Sequence, residues 1–299
     1  MANRGKLGNG AWAVAMVLAL GCGGGRPEVA DEKPKEPAKG SEGTPTPAVS
    51  QAAHAKPDPF LYQPFAEATV PDAPDGQELP AQTMTGKSVG KLYTQVVELW
   101  DQVRFVSPAG KRLKYSATLQ TRLGPIEIEL RPDIAPNHVR SFVALARAGY
   151  YDGLVFERTV HEESDAKDGV SLDYIEAGCP LGTGHPSYGS IGYWLRPELS
   201  DKVRHEEGTV GAWHVEEADS AACKFYIILS KEAPTFNGHC TLFGKVTSGL
   251  DVVRKMHQQP VIELESEIGF SRPEKPVVIR KVTIHTKELD TPETSGETK

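Results

Sequence analysis

The feature that most limits how this chain can fold is the alternation Ile126-Glu127-Ile128-Glu129-Leu130, placed directly behind the turn-forming pair Gly124-Pro125. A period of two sends the three aliphatic side chains to one face and the two carboxylates to the other, which is the signature of a half-buried antiparallel strand. Short apolar runs of similar length recur at 153–158, 173–177, 209–213, 225–229, 241–246 and 277–284. Two helices interrupt them. Pro136 suits a first turn, Val139, Phe142, Val143 and Ala146 form a stripe at helical spacing, and Gly149 ends it. The second, from Gly249 to His257, carries Leu250, Val253 and Met256 and stops before Pro260. Many short strands with two helices predict a mainly β domain with the helices capping it. The pattern alone leaves a closed barrel and a sandwich both open.

The two ends of the chain are not core material. Arg4 and Lys6 precede the apolar stretch from Ala11 to Leu20, and Gly21-Cys22 follows. That is the layout of an export signal, too short to span a bilayer comfortably. Its Gly-Cys ending resembles a bacterial lipoprotein signal (residues 1–22), in which Cys22 would be acylated, although Ala19 stands where leucine is usual. The expected location is the cell envelope, anchored by lipid and facing the periplasm. Residues 23–59 contain no aromatic side chain and are rich in Pro, Glu, Lys, Ala and Ser, so they cannot bury enough surface to offset ordering entropy and read as a disordered linker. In residues 60–114 prolines keep the first part extended; then Leu92, Val96, Leu99 and Val103 recur at three- and four-residue spacing, widened by Tyr93, Val97 and Trp100. This predicts an amphipathic helix capped by Ser88, with an apolar face that must pack on the following domain, a second copy or a client. Residues 286–299 read as a polar tail.

Charge and motifs remove several function classes. A net charge of −7 without a basic cluster argues against nucleic-acid binding. His161-Glu162-Glu163 lacks the spacing of a helical metal site, and no metal or cofactor is expected. Gly182-Thr183-Gly184 has no Lys-Ser behind it and so is a turn, not a phosphate loop; no Gly-x-Ser-x-Gly elbow is present.

Four segments in order carry the functional reading: Phe156-Glu157-Arg158, Asp173-Tyr174-Ile175-Glu176-Ala177-Gly178, Lys224-Phe225-Tyr226-Ile227-Ile228, and Asn237-Gly238-His239-Cys240-Thr241-Leu242-Phe243-Gly244. Each sets an apolar run beside a polar residue, and together they describe an apolar groove with one fixed guanidinium. They resemble the cyclophilin family of peptidyl-prolyl isomerases, over roughly Tyr115 to His285. The resemblance implies a closed eight-stranded antiparallel barrel capped by two helices (residues 115–285), here with an N-terminal helical extension. It implies catalysis by Arg158, and a substrate groove formed by Tyr174, Ile175, Tyr226 and Phe236 with His214 as a backbone contact. The partners implied are proline-containing polypeptides. An amide bond resists twisting by about 18–20 kcal/mol, and a permanently charged guanidinium can steady the twisted state in a dry pocket.

Several positions depart from the family pattern. Its two glutamines align with Ala177 and Lys224, its asparagine with His214 preceded by Trp213, and its late histidine with Cys240. Losing both glutamines predicts an arginine without its orienting groups. That favours, as the alternative, a weak or inactive proline-peptide-binding module on the same fold. Lys224 is expected either to pair with the acidic loop at 161–172 or an acidic substrate residue, or to reach outward to solvent. With Cys22 acylated, Cys179, Cys223 and Cys240 remain of the 4 cysteines; the resemblance places Cys179 and Cys223 on neighbouring strands, where they could form a disulfide.

Overall fold

The computed structural model describes residues 62–162, 171–264 and 270–289. The export signal with Cys22, the linker and most of the acidic loop lie outside them. In chain order the helices are α1 (Phe65–Ala68), α2 (Val89–Trp100), α3 (Pro136–Arg147) and α4 (Leu250–His257). The strands are β1 (Thr69–Val70), β2 (Leu113–Thr121), β3 (Gly124–Leu130), β4 (Phe156–Glu162), β5 (Leu172–Ala177), β6 (Trp194–Leu195), β7 (Thr209–Ala212), β8 (Phe225–Ile228), β9 (Leu242–Ser248), β10 (Val261–Leu264), β11 (Phe270–Pro273) and β12 (Ile279–Glu288). The alternating segment forms β3, with Ile126, Ile128 and Leu130 buried. The last strand continues to Glu288, into residues that read as tail.

Eight strands make one antiparallel sheet in the order β12-β2-β3-β9-β7-β8-β5-β4. The expected closure into a barrel is not completed. The two edge strands meet at a single isolated bridge, Val155 with Val278, flanked by Gly153 N–H to Ile279 O at 2.8 Å and Phe156 N–H to Val277 O at 2.9 Å. Just past that seam each edge changes register, between Phe156 and Arg158 on β4 and between Ile279 and Lys281 on β12. An extra residue bends its strand and raises the local twist, so two bulges side by side part the edges before a ladder can form.

The segment before β2 is stitched into the domain. Ser88 caps α2 by accepting from the Lys91 N–H, and Leu92, Val96 and Trp100 are buried where α2 packs on α3. Among the three partners open for this face, the structure selects the domain itself. Arg140 on α3 is fully buried: it donates to Val103 O at 3.1 Å and Asn137 Oδ1 at 3.0 Å, and its guanidinium lies 4.9 Å from the Phe105 ring centroid and 5.2 Å from that of Tyr62. Donors directed at oxygens and flat faces against rings let a charge sit in a core that would otherwise reject it. Further along, β1 pairs with β6, and Met84 N–H reaches Pro180 O at 2.7 Å, so the extension covers the loop that follows β5.

Cys179, Cys223 and Cys240 are all buried free thiols, so the expected 179–223 disulfide is absent. Burial pushes the Cys223 thiol up to about 12, where almost no thiolate exists at neutral pH to begin an exchange.

The buried apolar residues separate into two clusters. The larger fills the space between the sheet and α2, α3 and α4. The smaller, made of Val160, Tyr174, Trp213, Tyr226, Ile228, Ala233, Phe236 and Cys240, sits apart from it. The second is where the predicted groove residues gather.

Candidate active site

Side-chain parity on three strands builds the site. Along β5, Tyr174 and Glu176 face one side and Ile175 and Ala177 the other, because successive strand residues alternate. Tyr174 belongs to the smaller cluster; Ile175 and Ala177 belong to the main core. Ile175 is therefore a core residue and not a groove wall, and Ala177 does not stand where an orienting side chain is needed. Its neighbour Glu176 does.

The register then lines up one row across four strands. Arg158 on β4 is opposite Glu176 on β5, Glu176 is opposite Tyr226 on β8, and Tyr226 is opposite Gly211 on β7. Directly opposed side chains on one face are contact neighbours. Arg158 Nη1 donates to Glu176 Oε1 at 2.9 Å. The Tyr226 ring needs the space above Gly211, where an added Cβ would lie 2.1 Å from the hydroxyl oxygen. Beside this row is a second one: Trp213 N–H bonds to Lys224 O at 3.1 Å, and the Lys224 ammonium lies 3.4 Å from the Trp213 ring centroid.

Four ionisable groups are enclosed together. Lys224 Nζ is 3.1 Å from Glu176 Oε2, a close ion pair without well-directed hydrogen-bond geometry, and both side chains are fully buried. Lys224 does not reach outward to solvent: the buried Glu176 carboxylate, on the strand beside that of Arg158, takes it, while most of the acidic loop lies outside the described residues. Arg158 is partly open, its side chain 17% exposed. Burial works against its charge, but Glu176, with Tyr174 and Glu162 adding to it, holds the pKa above the usual guanidinium value. Glu157 sits at the bulge, buried, with Oε1 accepting the Cys179 N–H at 2.9 Å. Burial drives its pKa up to about 7, with Glu176 adding to the rise and Lys224 and the Cys179 N–H opposing it. With Glu157 ionised, two acids face two bases.

The aromatic wall is packed on itself. Ring centroids of Tyr226 and Phe236 are 4.9 Å apart, those of Tyr174 and Phe236 5.7 Å, and those of Tyr174 and Tyr226 6.1 Å. The short 3-10 turn Pro234–Phe236 delivers Phe236, and Cys240 closes behind it through its N–H to Phe236 O at 3.0 Å. Burial raises the Cys240 thiol to about 12. Tyr226 Oη lies 2.9 Å from His205 Nε2, and Asn237 Oδ1 accepts from the His205 backbone N–H at 2.7 Å and faces its Nδ1 at 3.2 Å. With Nδ1 donating to Asn237, Nε2 must accept from the tyrosine. Burial pushes His205 down to about 4, which keeps that ring neutral. His214 ties two loops, with Nδ1 2.5 Å from Val215 O and Nε2 3.2 Å from His239 O.

Arg158, Tyr174, Lys224, Tyr226, Trp213, Phe236 and Cys240 are thus brought to one place. Glu176, Glu157, His205 and Gly211 join them without having been singled out. The parity of β5, with Tyr174 and Glu176 two residues apart, is the sequence signal that marks Glu176. Nothing local marks His205 or Gly211.

A family model described as "Cyclophilin type peptidyl-prolyl cis-trans isomerase/CLD" matches residues 116–284. A "Peptidyl-prolyl cis-trans isomerase B" of Bacillus subtilis is 37% identical over 139 residues, 46% of this chain and 87% of that protein. A peptidyl-prolyl cis-trans isomerase of Arabidopsis thaliana is 30% identical over 174 residues, 58% of this chain and 98% of that protein. A "Peptidyl-prolyl cis-trans isomerase-like 2" of Rhizopus delemar is 29% identical over 205 residues, 68% of this chain but only 34% of that longer protein.

Proposed function

The chain belongs to the cyclophilin type peptidyl-prolyl cis-trans isomerases, a family of enzymes, and from that premise we propose that Arg158 is the catalytic group and the smaller aromatic cluster its proline pocket. The observation that carries this is the position of Arg158: a charged, partly open guanidinium, paired with the buried Glu176 carboxylate, beside an aromatic cluster that the main core does not use. When a prolyl bond twists, its nitrogen loses amide conjugation and gains a localised lone pair. An N–H donor aimed there stabilises the twisted state more than the planar one, and only such differential stabilisation raises the rate. A guanidinium never deprotonates, so the donor is present at any physiological pH. Tyr174, Tyr226 and Phe236 hold the ring and exclude water. Each tenfold acceleration takes about 1.36 kcal/mol, within reach of one charged donor and a shaped wall.

The test is isomerisation of proline peptides by the full chain beside Arg158→Ala. Activity that drops about a hundredfold or more in the variant, with peptide binding kept, supports the reading. Equal activity in both proteins refutes it.

One observation favours the alternative of a proline-peptide-binding module with little turnover. Arg158 Nη1 already donates to the buried Glu176 carboxylate, so that donor is not open to a prolyl nitrogen, while the aromatic wall is kept. Saturable peptide binding without isomerisation would establish that reading. The setting we propose is the cell envelope, with export directed by residues 1–22, a lipid on Cys22 and exported proline-containing proteins as clients. Unchanged membrane partitioning of Cys22→Ser would remove the anchor.

A further inference from the structure

We propose that Lys224 is a positioning residue for Arg158, acting through Glu176. The inference deepens the reading of Arg158 as the catalyst and rests on it. A carboxylate offers two oxygens, and here each takes one cation: Oε1 receives Arg158 Nη1 at 2.9 Å and Oε2 faces Lys224 Nζ at 3.1 Å. Two cations on opposite oxygens fix the plane of the carboxylate, and that plane fixes where the guanidinium lies.

Lys224 has no other task in view. Its side chain is fully buried against Glu176, and its remaining partners are the Trp213 ring and Gly184 O at 3.5 Å. Burying an ammonium is costly unless its charge is answered, and the answering group is the one that also holds Arg158. The Glu157 carboxylate, enclosed beside them, makes the arrangement sensitive to charge: without Lys224, two buried acids would compete for a single arginine and draw it inward from the cleft. Glu176 is thus a relay whose geometry depends on the lysine.

The experiment is a double-variant cycle on the full chain, reading kcat and KM for a proline peptide and the Arg158 Nε–Hε signal by NMR. Lys224→Met should lower kcat about ten- to hundredfold, the worth of one charge-assisted contact, while KM stays within about twofold. In a Glu176→Gln background the same substitution should change kcat by less than about twofold, because the relay is already cut. An equal loss in both backgrounds, or no loss in a folded Lys224→Met protein, overturns the proposal. Should Lys224→Met fail to fold, Glu176→Gln/Lys224→Gln, a neutral pair of similar volume, is compared with Glu176→Gln alone; a further large drop overturns it and equal rates support it. If the wild type itself does not isomerise peptides, the catalytic reading has failed and the NMR signal decides the positioning. A protected Arg158 signal that broadens in the lysine variant supports the relay, and one that stays unchanged overturns it.

Discussion

Replacing Glu157 by Gln should alter the pH dependence of stability between pH 4.5 and 8. The carboxyl lies at the β4 bulge with one oxygen accepting the Cys179 N–H, and burial raises its pKa from 4.5 to about 7. The folded state therefore holds a proton that the unfolded state releases between those two values. The stability this contributes is fully present below pH 4.5 and is lost as pH rises through 7. At about 1.36 kcal/mol per pKa unit the gap amounts to about 3 kcal/mol. Gln keeps the acceptor for Cys179 and removes the titration. Urea unfolding of both proteins from pH 4.5 to 8 then reads the effect, provided m is unchanged. The difference in unfolding free energy should shift by about 3 kcal/mol in favour of the variant across that window, equivalent to about 6 to 12 °C in Tm for a domain of this size. Subtraction cancels groups that titrate alike in the two proteins. Parallel curves would show that Glu157 is not held protonated and that Lys224 already neutralises it, which would undo the account of a crowded, dry charge cluster.

Gly211→Ala puts a methyl 2.1 Å from the Tyr226 hydroxyl, so the tyrosine must move; a loss of about 1–3 kcal/mol in chemical unfolding is expected, together with weaker peptide binding, and a neutral variant would refute the close approach. His205 titrates near 4 when folded against 6.5 ordinarily, so the stability it contributes is present above pH 6.5 and is lost as pH falls through 4. Imidazole NMR should show a neutral ring at pH 5; a protonated ring there would contradict the Tyr226 to His205 hydrogen bond. Tyr226→Phe leaves His205 Nε2 without its donor and should lower stability by about 1–2 kcal/mol, measured by thermal unfolding.

Local chemistry determined much of this molecule. The Ile126, Ile128, Leu130 alternation, the Pro136 start and Gly149 end of α3, and the Ser88 cap of α2 each follow from neighbouring residues, and each is present in the structure. Three of the four segments carry Arg158, Tyr174 and Tyr226, which the cross-strand register gathers, with Phe236, just ahead of the fourth, packed on both tyrosines. What the sequence left open depends on residues far apart in the chain. Whether the sheet edges join is decided by bulges at Glu157 and Arg280 that come together only when 153–156 meets 277–279. Glu176 takes the role expected of its neighbour because parity is counted from the face the core buries, and only packing says which face that is. Lys224 looks like a surface cation in its own segment; the carboxylate that draws it inward is forty-eight residues earlier, since 224 − 176 = 48. Electrostatic pairing across strands is a property of register, and register is written in no single stretch of residues.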